Sequence, residues 1–366
     1  MRRKIFLAWI FTVMICGCSS SNISLELSYT PISIDSTDTI SVSFNDCFDI
    51  LSCIPLEETE DCHVASVRRV EFFEGNYYIS SSNANVGLAV FDDKGGFVRR
   101  IGQRGNGHGE YVNLYDFAID KKNRHILVLC NRSSLVKEYL LDGTFLKEKN
   151  IHATSLSSIA CVDGLFLCPT NHQGFTRSES DSLFYVFDEN LDFKSKHTYI
   201  SRNDLGMSSM ISASIRSYGN RFVYTDFHEH RTFILNKDGD VETCFEYKKD
   251  KMVPIDAFES AATFMEKQFD YDFIMDSAIL ENKCITLYKE GRSMKLSINR
   301  FDGECIINKP TSNLIPDFIG YEDDCILSVV SLESLKSLNC NVYDTYKGNA
   351  CYFIIKYKLK DKYRFA

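Results

Sequence analysis

One phrase recurs along this 366-residue chain at a constant step. A short apolar run meets an acidic turn, and a second apolar run follows. The copies sit at 88–95 (LAVFDDKG), 139–143 (YLLDG), 184–191 (FYVFDENL), 233–239 (FILNKDG) and 296–303 (LSINRFDG). Their turn positions Gly95, Gly143, Leu191 and Gly239 are each 48 residues apart, and Gly303 follows after 64. Strand-forming phrases at a period of roughly 40 to 50 residues mark a ring of four-stranded blades, in which each blade's apolar faces are covered by its neighbours. The expected fold is all-β, a six-bladed β-propeller of four-stranded antiparallel blades. Such a scaffold serves many unrelated activities, so the period names no ligand and no reaction.

Laid out on this period, strands at 65–72, 77–80, 87–91 and 97–101 form the first blade, and 114–119, 125–129, 135–140 and 145–151 the second. The third, fourth and fifth occupy about 156–199, 211–247 and 274–307. The sixth is short of a strand, with only 319–330 and 351–359 clearly strand-like. The unpaired segment 46–57 (DCFDILSCIPLE) is expected to supply the missing outer strand, closing the ring and removing an exposed sheet edge. The longer step before Gly303 reflects an insertion at 252–272, where Phe258, Ala262, Met265 and Phe269 keep helical spacing. One amphipathic helix between blades 4 and 5 is predicted there, a core cap with a ligand lid as the alternative.

The N-terminus carries an address. Arg2-Arg3-Lys4 precedes an apolar run of 11 residues, too short to span a bilayer, which ends in Ile15-Cys16-Gly17-Cys18. That ending resembles a bacterial lipobox. It divides the chain into a signal peptide (1–17), a tether lipidated at Cys18 (18–44) and the propeller (45–366), with the membrane reached through the acyl chains. Ser19-Ser20-Ser21-Asn22 lacks an acidic export tag. The expected location is the outer membrane facing the periplasm, with the cell surface as the alternative. Net charge is -9 although the leader is basic, so the exported body repels phosphate backbones and nucleic acid is excluded as a partner. Of 14 cysteines, those beyond the leader show no CxxC or zinc-knuckle spacing. Most lie in apolar runs and read as buried free thiols. An oxidising compartment would permit disulfides, but the sequence nominates no pair.

The segment 91–102 (FDDKGGFVRRIG), followed by Gly105-Asn106-Gly107-His108-Gly109-Glu110-Tyr111, resembles the six-bladed β-propeller lipoproteins related to NHL repeats. In that family a G-x-G-P-G-E-Y segment follows the first blade and an aliphatic-Pro-Leu-Glu strand precedes it. Ile54-Pro55-Leu56-Glu57 matches the latter, while His108 replaces the proline. The resemblance covers roughly 45–366, most strongly 45–150. It implies a fold and an envelope location, and no catalytic residues.

Strand parity places the loops between second and third strands on the same face as the links between blades, and ligands usually enter propellers there. Within 102–111, Arg104, His108, Glu110 and Tyr111 are ligand candidates beside the leading reading of a structural turn. No Gly-Lys-Ser/Thr and no helix follows, so the segment is neither a P-loop nor a dinucleotide fingerprint. His228 and His230, two apart in 226–231 (DFHEHR) on the same face, are further ligand candidates and could join Asp226 around a metal, although a solvated hairpin is the plainer reading. Asp116-Phe117-Ala118-Ile119 and Asp276-Ser277-Ala278-Ile279 share a phrase on inner strands. Asp116 and Asp276 could hold a divalent cation in the central channel or stand there as solvated acids. There is no nucleophile elbow and no HExxH. The sequence therefore favours a binding or interaction module for a small molecule, glycan, peptide or protein. The alternative is a channel-site, metal-dependent enzyme of the lyase or lactonase kind.

Overall fold

The computed structural model describes residues 22–24, 29–34, 38–60, 62–83, 86–130, 135–153, 156–170, 182–198, 214–226, 230–249, 251–252, 269–340, 342, 346 and 348–365. Of the insertion predicted as a helix at 252–272, residues 253–268 lie outside them, and Phe269 and Asp270 form a turn before Asp272 opens a strand. Six antiparallel sheets make the ring. Blade 1 is Val67–Phe73, Asn76–Ser81, Leu88–Asp92 and Phe97–Ile101; blade 2 is Leu114–Asp120, His125–Cys130, Leu135–Leu140 and Phe145–Asn150. Blade 3 is Ala160–Val162, Leu165–Pro169, Ser182–Phe187 and Phe193–Thr198; blade 4 is Ser214–Tyr218, Arg221–Asp226, Arg231–Leu235 and Val241–Lys248. Blade 5 is Asp272–Leu280, Lys283–Glu290, Ser293–Arg300 and Cys305–Pro310. Blade 6 takes Gly320–Glu322, Cys325–Ser331 and Tyr352–Leu359 from the C-terminal end and Phe48–Pro55 from the N-terminal end. The closing strand is thus the one the sequence supplied, registered with Phe353 opposite Pro55 and Leu359 opposite Phe48.

The repeated acidic turns have one physical cause. In each, the third strand of a blade returns through a turn closed by a backbone bond, as from Gly95 N to Asp92 O (3.0 Å) and from Leu191 N to Asp188 O (2.9 Å). The side chain of Asp92 accepts from Lys94 N, and that of Asp188 from Asn190 N, which stabilises the turn locally. A left-handed residue then ends the turn, with φ of 84° at Gly95 and 59° at Leu191. Leu191 accepts this strain because its side chain is buried against the Phe187 cluster.

Blades are apolar on both faces, and alternate residues of a strand face opposite neighbours. In His125–Cys130, Ile126, Val128 and Cys130 pack toward blade 1, whereas Leu127 and Leu129 pack toward blade 3. Among the described residues, six apolar clusters result, one between each pair of adjacent blades.

One departure concerns the expected tether. Asn22–Ser24 pairs in parallel with the outer strand of blade 3, and Thr30–Ser33 with that of blade 4. Val42 bridges Thr311 at the edge of blade 5. Ile32 and Ile34 are fully buried against blades 4 and 5. The described parts of this segment form a belt around the rim, because it carries the apolar residues that the outer edges lack partners for.

Candidate functional site

Two related networks link the inner strands of the blades. Arg69, on the inner strand of blade 1, donates from Nε and Nη2 to both carboxylate oxygens of Asp116 on blade 2, at 2.8 and 2.7 Å. Asp116 also accepts from Ser158 Oγ and from Ile159 N (2.9 Å), at the entry to blade 3. Three blades on, Arg216 of blade 4 donates to Asp276 of blade 5 at 2.9 and 3.1 Å. Asp276 accepts in turn from Phe318 N (2.8 Å), at the entry to blade 6. Arg69 Nη2 further reaches across the ring to Ile215 O of blade 4, at 2.6 Å. All four side chains are buried.

Asp116 and Asp276 therefore sit on inner strands as the shared phrase required, but on opposite sides of the ring. The structure does not bring them together around a common ion. Each has a guanidinium where a cation would go, and among the described residues no cluster of His, Cys, Asp and Glu has the arrangement of a metal site. Their arginine partners were missed because nothing local marks them. Arg69 and Asp116 stand 47 residues apart, and Arg216 and Asp276 stand 60 apart. Burial raises the Asp276 pKa above the ordinary value, and Arg216 only partly offsets it. For Arg69, burial favours losing the proton, yet Asp116 and Glu71 overcome this and hold the charge.

Beside these networks, the turns between first and second strands of blades 2, 3, 4 and 6, with the turn between third and fourth strands of blade 4, form a cup of about 1270 Å³. Lys121 and Lys122 come from blade 2, Asp163 from blade 3, Lys237 and Asp238 from blade 4, and Asp323 from blade 6. Tyr218 and Tyr321 lie in its wall with ring centroids 4.8 Å apart. They fasten blades 4 and 6 to blade 5, since Tyr218 Oη accepts from Glu281 N (3.1 Å) and Tyr321 Oη from Ile279 N (3.0 Å). Tyr218 also donates to Asp324 at 3.3 Å.

The face expected to bind lies opposite. There, 102–111 is a clip between blades 1 and 2, with its two ends paired as Gln103–Arg104 and Glu110–Tyr111. Tyr111 is 2% exposed, donates to Ile101 O (3.0 Å) and accepts from Leu88 N (3.2 Å). Burial pushes its phenol up to about 12. A Cβ on Gly87 would stand 2.3 Å from Tyr111 Oη, which explains the glycine there. Tyr111 is thus a buried peg, which corrects its reading as a ligand contact. Glu110 folds back on its own loop, accepting from Gly107 N at 2.7 Å and from Gln103; those bonds, Gly107 first, lower its pKa. Arg104 and His108 are exposed, with the His108 ring edge-on to Phe145 at 4.6 Å. His230 holds a left-handed backbone (φ 53°) and its carbonyl accepts from Tyr247 N. His228 lies outside the described residues, as does Cys18.

Comparison with known proteins fits this architecture. A six-bladed β-propeller family model, DUF5128, matches residues 26–307. Among solved structures, a Bacteroides fragilis protein described as exported superposes with a TM-score of 0.67 at 19% identity, covering 91% of this chain and 100% of its own. A member of the DUF4221 family from Bacteroides vulgatus gives a TM-score of 0.57 at 11% identity, covering 86% of this chain and 99% of its own. At these identities the likeness concerns the fold alone. No curated protein matches. With the family model spanning well over half of its length, the chain belongs to the DUF5128 six-bladed β-propeller family.

Proposed function

We propose that this protein is an exported propeller, lipid-anchored at Cys18 in the outer membrane, that binds a polar ligand such as a glycan or peptide in the cup. The observation that carries this reading is the wide polar cup lined by charged residues of blades 2, 3, 4 and 6. The Arg69 and Arg216 networks join the inner strands, and the cup is lined by both cations and anions beside Tyr218 and Tyr321. Such a surface offers hydrogen bonds and ring stacking without a dominant charge, which suits hydroxyl-rich or zwitterionic ligands. A lyase or lactonase acting at a channel metal would need inward ligands converging at the axis. The two acids in that position instead accept from arginine and from backbone N–H groups.

The test is a glycan and peptide array screen, followed by affinity measurements on four variants. Lys237→Ala and Asp323→Asn alter exposed cup residues, and Asn accepts the left-handed backbone at 323 (φ 51°). Arg104→Ala and His108→Ala alter the opposite face. The cup variants are expected to weaken binding about tenfold each, with melting temperature unchanged. Loss of affinity confined to Arg104→Ala and His108→Ala would move the site to the opposite face.

A further inference from the structure

Blade 6 is assembled from both ends of the chain, and two thiols meet at that seam. Cys53 lies on the closing strand, opposite Ile355. Cys340 follows the short helix Leu332–Ser337, whose end folds back through Leu338 N to Ser334 O (3.1 Å) and Cys340 N to Leu335 O (3.2 Å). Asn45 Nδ2 donates to Leu338 O at 2.8 Å and holds this turn against the start of the closing strand. Cys53 and Cys340 both line a cavity of about 350 Å³ with Phe48, Asn339 and Val342. The Cys340 thiol neighbours that of Cys53 closely enough to disfavour its ionisation. Cys340 is 8% exposed and Cys53 is half-buried. Other buried thiols have different surroundings: that of Cys284 hydrogen-bonds with the hydroxyls of Tyr247 and Thr286.

We propose that Cys53 and Cys340 form a disulfide that staples the N-terminal closing strand into blade 6. The inference rests on the reading of the protein as exported, because only an oxidising compartment sustains such a bond. The oxidant is a disulfide, carried by a folding oxidoreductase or by oxidised glutathione. One cysteine thiolate attacks it to give a mixed disulfide, and the other displaces the carrier thiol. Two electrons and two protons leave the pair, and the carrier is reduced to thiols. Burial, then the neighbouring Cys340 thiol, pushes the Cys53 thiol up to about 12, so attacking thiolate is scarce in the closed ring. The bond therefore forms as the ring closes, and afterwards it is shielded from reductants. The crosslink spans nearly the whole propeller, and long loops give the largest restriction of the unfolded chain.

The experiment refolds the full-length protein in a glutathione redox buffer, then alkylates and digests it for mass spectrometry. Two of the fourteen thiols are expected to resist alkylation, with one linked peptide joining residues 53 and 340. Oxidised wild type should melt at least 5 °C above the reduced protein, and Cys53→Ser should melt at one temperature in both buffers. Alkylation of both residues after oxidation, or linkage of either to another cysteine, overturns the proposal. Alkylation in intact cells separates the two readings. A pair that is reduced in cells, yet closes in the refolding buffer, upholds the staple and sinks export.

Discussion

Arg69 serves two acids unequally, and the inequality gives opposite expectations for their replacement. It meets Asp116 through two short bonds, but its Nη1 stands 3.7 Å from Glu71 Oε1. Glu71 is 7% exposed, and that oxygen has no hydrogen-bond partner. Burial raises the Glu71 pKa above the usual 4.5, and Arg69 and Lys121 fail to offset it. Removing Asp116 leaves a buried guanidinium short of its best counterion, so Asp116→Ala should cost about 3–5 kcal/mol in denaturant unfolding. Glu71 has the reverse sign. Its carboxylate is disfavoured in the folded state, so its charge costs stability at neutral pH. That cost is relieved as pH falls through the raised folded value toward 4.5. Glu71→Gln keeps an acceptor for Ile119 N and should be more stable than wild type at pH 7. Its stability should then rise less on acidification, although Asp276 and Asp317, also raised by burial, keep part of that slope. A Glu71→Gln variant less stable than wild type at pH 7 would make Glu71 an essential counterion of Arg69.

At the scale of elements, the strand that closes the ring is the feature on which most depends. Phe353 to Leu359 would otherwise present an open edge, and Phe44 and Phe48 pack with Tyr357 in an aromatic cluster that the closing segment completes. Deleting residues 19–57 removes Phe44, Phe48 and Leu56 from buried positions, a loss of at least about 5 kcal/mol. The truncated protein should melt far lower or aggregate; an unchanged melting temperature would mean that blade 6 closes on its own strands. This strand was legible because it is an apolar run left over after the 48-residue period is laid out. The belt at 22–24 and 30–33 was not legible. Its strands are three and four residues long, rich in Ser and Thr, and paired in parallel to edges whose need for cover no local pattern records. The same reason hid the site. The shared Asp phrases could be seen, but Arg69, Arg216, Tyr218 and Tyr321 acquire their roles only when distant blades meet.

For the whole molecule, the ring repeats one device twice: an arginine in one blade, an acid in the next, and an amide at the entry to the third, in blades 1 to 3 and again in 4 to 6. Arg69 ties the halves together across the axis. This rigid body meets the membrane, in the proposed reading, through Cys18 alone. Cys18→Ala should release it into the soluble fraction, and retention with membranes would end the lipidation reading. The belt adds a geometric expectation. Asn22 is already paired with Lys196 on the rim of blade 3, so only residues 19–21 separate the lipid from the folded ring. At about 3.5 Å per residue that tether reaches at most ~14 Å, which holds the rim of blade 3 beside the bilayer and blade 6, three blades away, far from it. A fluorophore at Lys194 should therefore be quenched strongly by headgroup-labelled lipid and one at Asp49 weakly. Inserting a long Gly/Ser linker after Ser20 should abolish the contrast while membrane binding persists, because such a chain is a flexible coil. Equal quenching at both positions before any insertion would mean that the belt does not hold the ring edge-on.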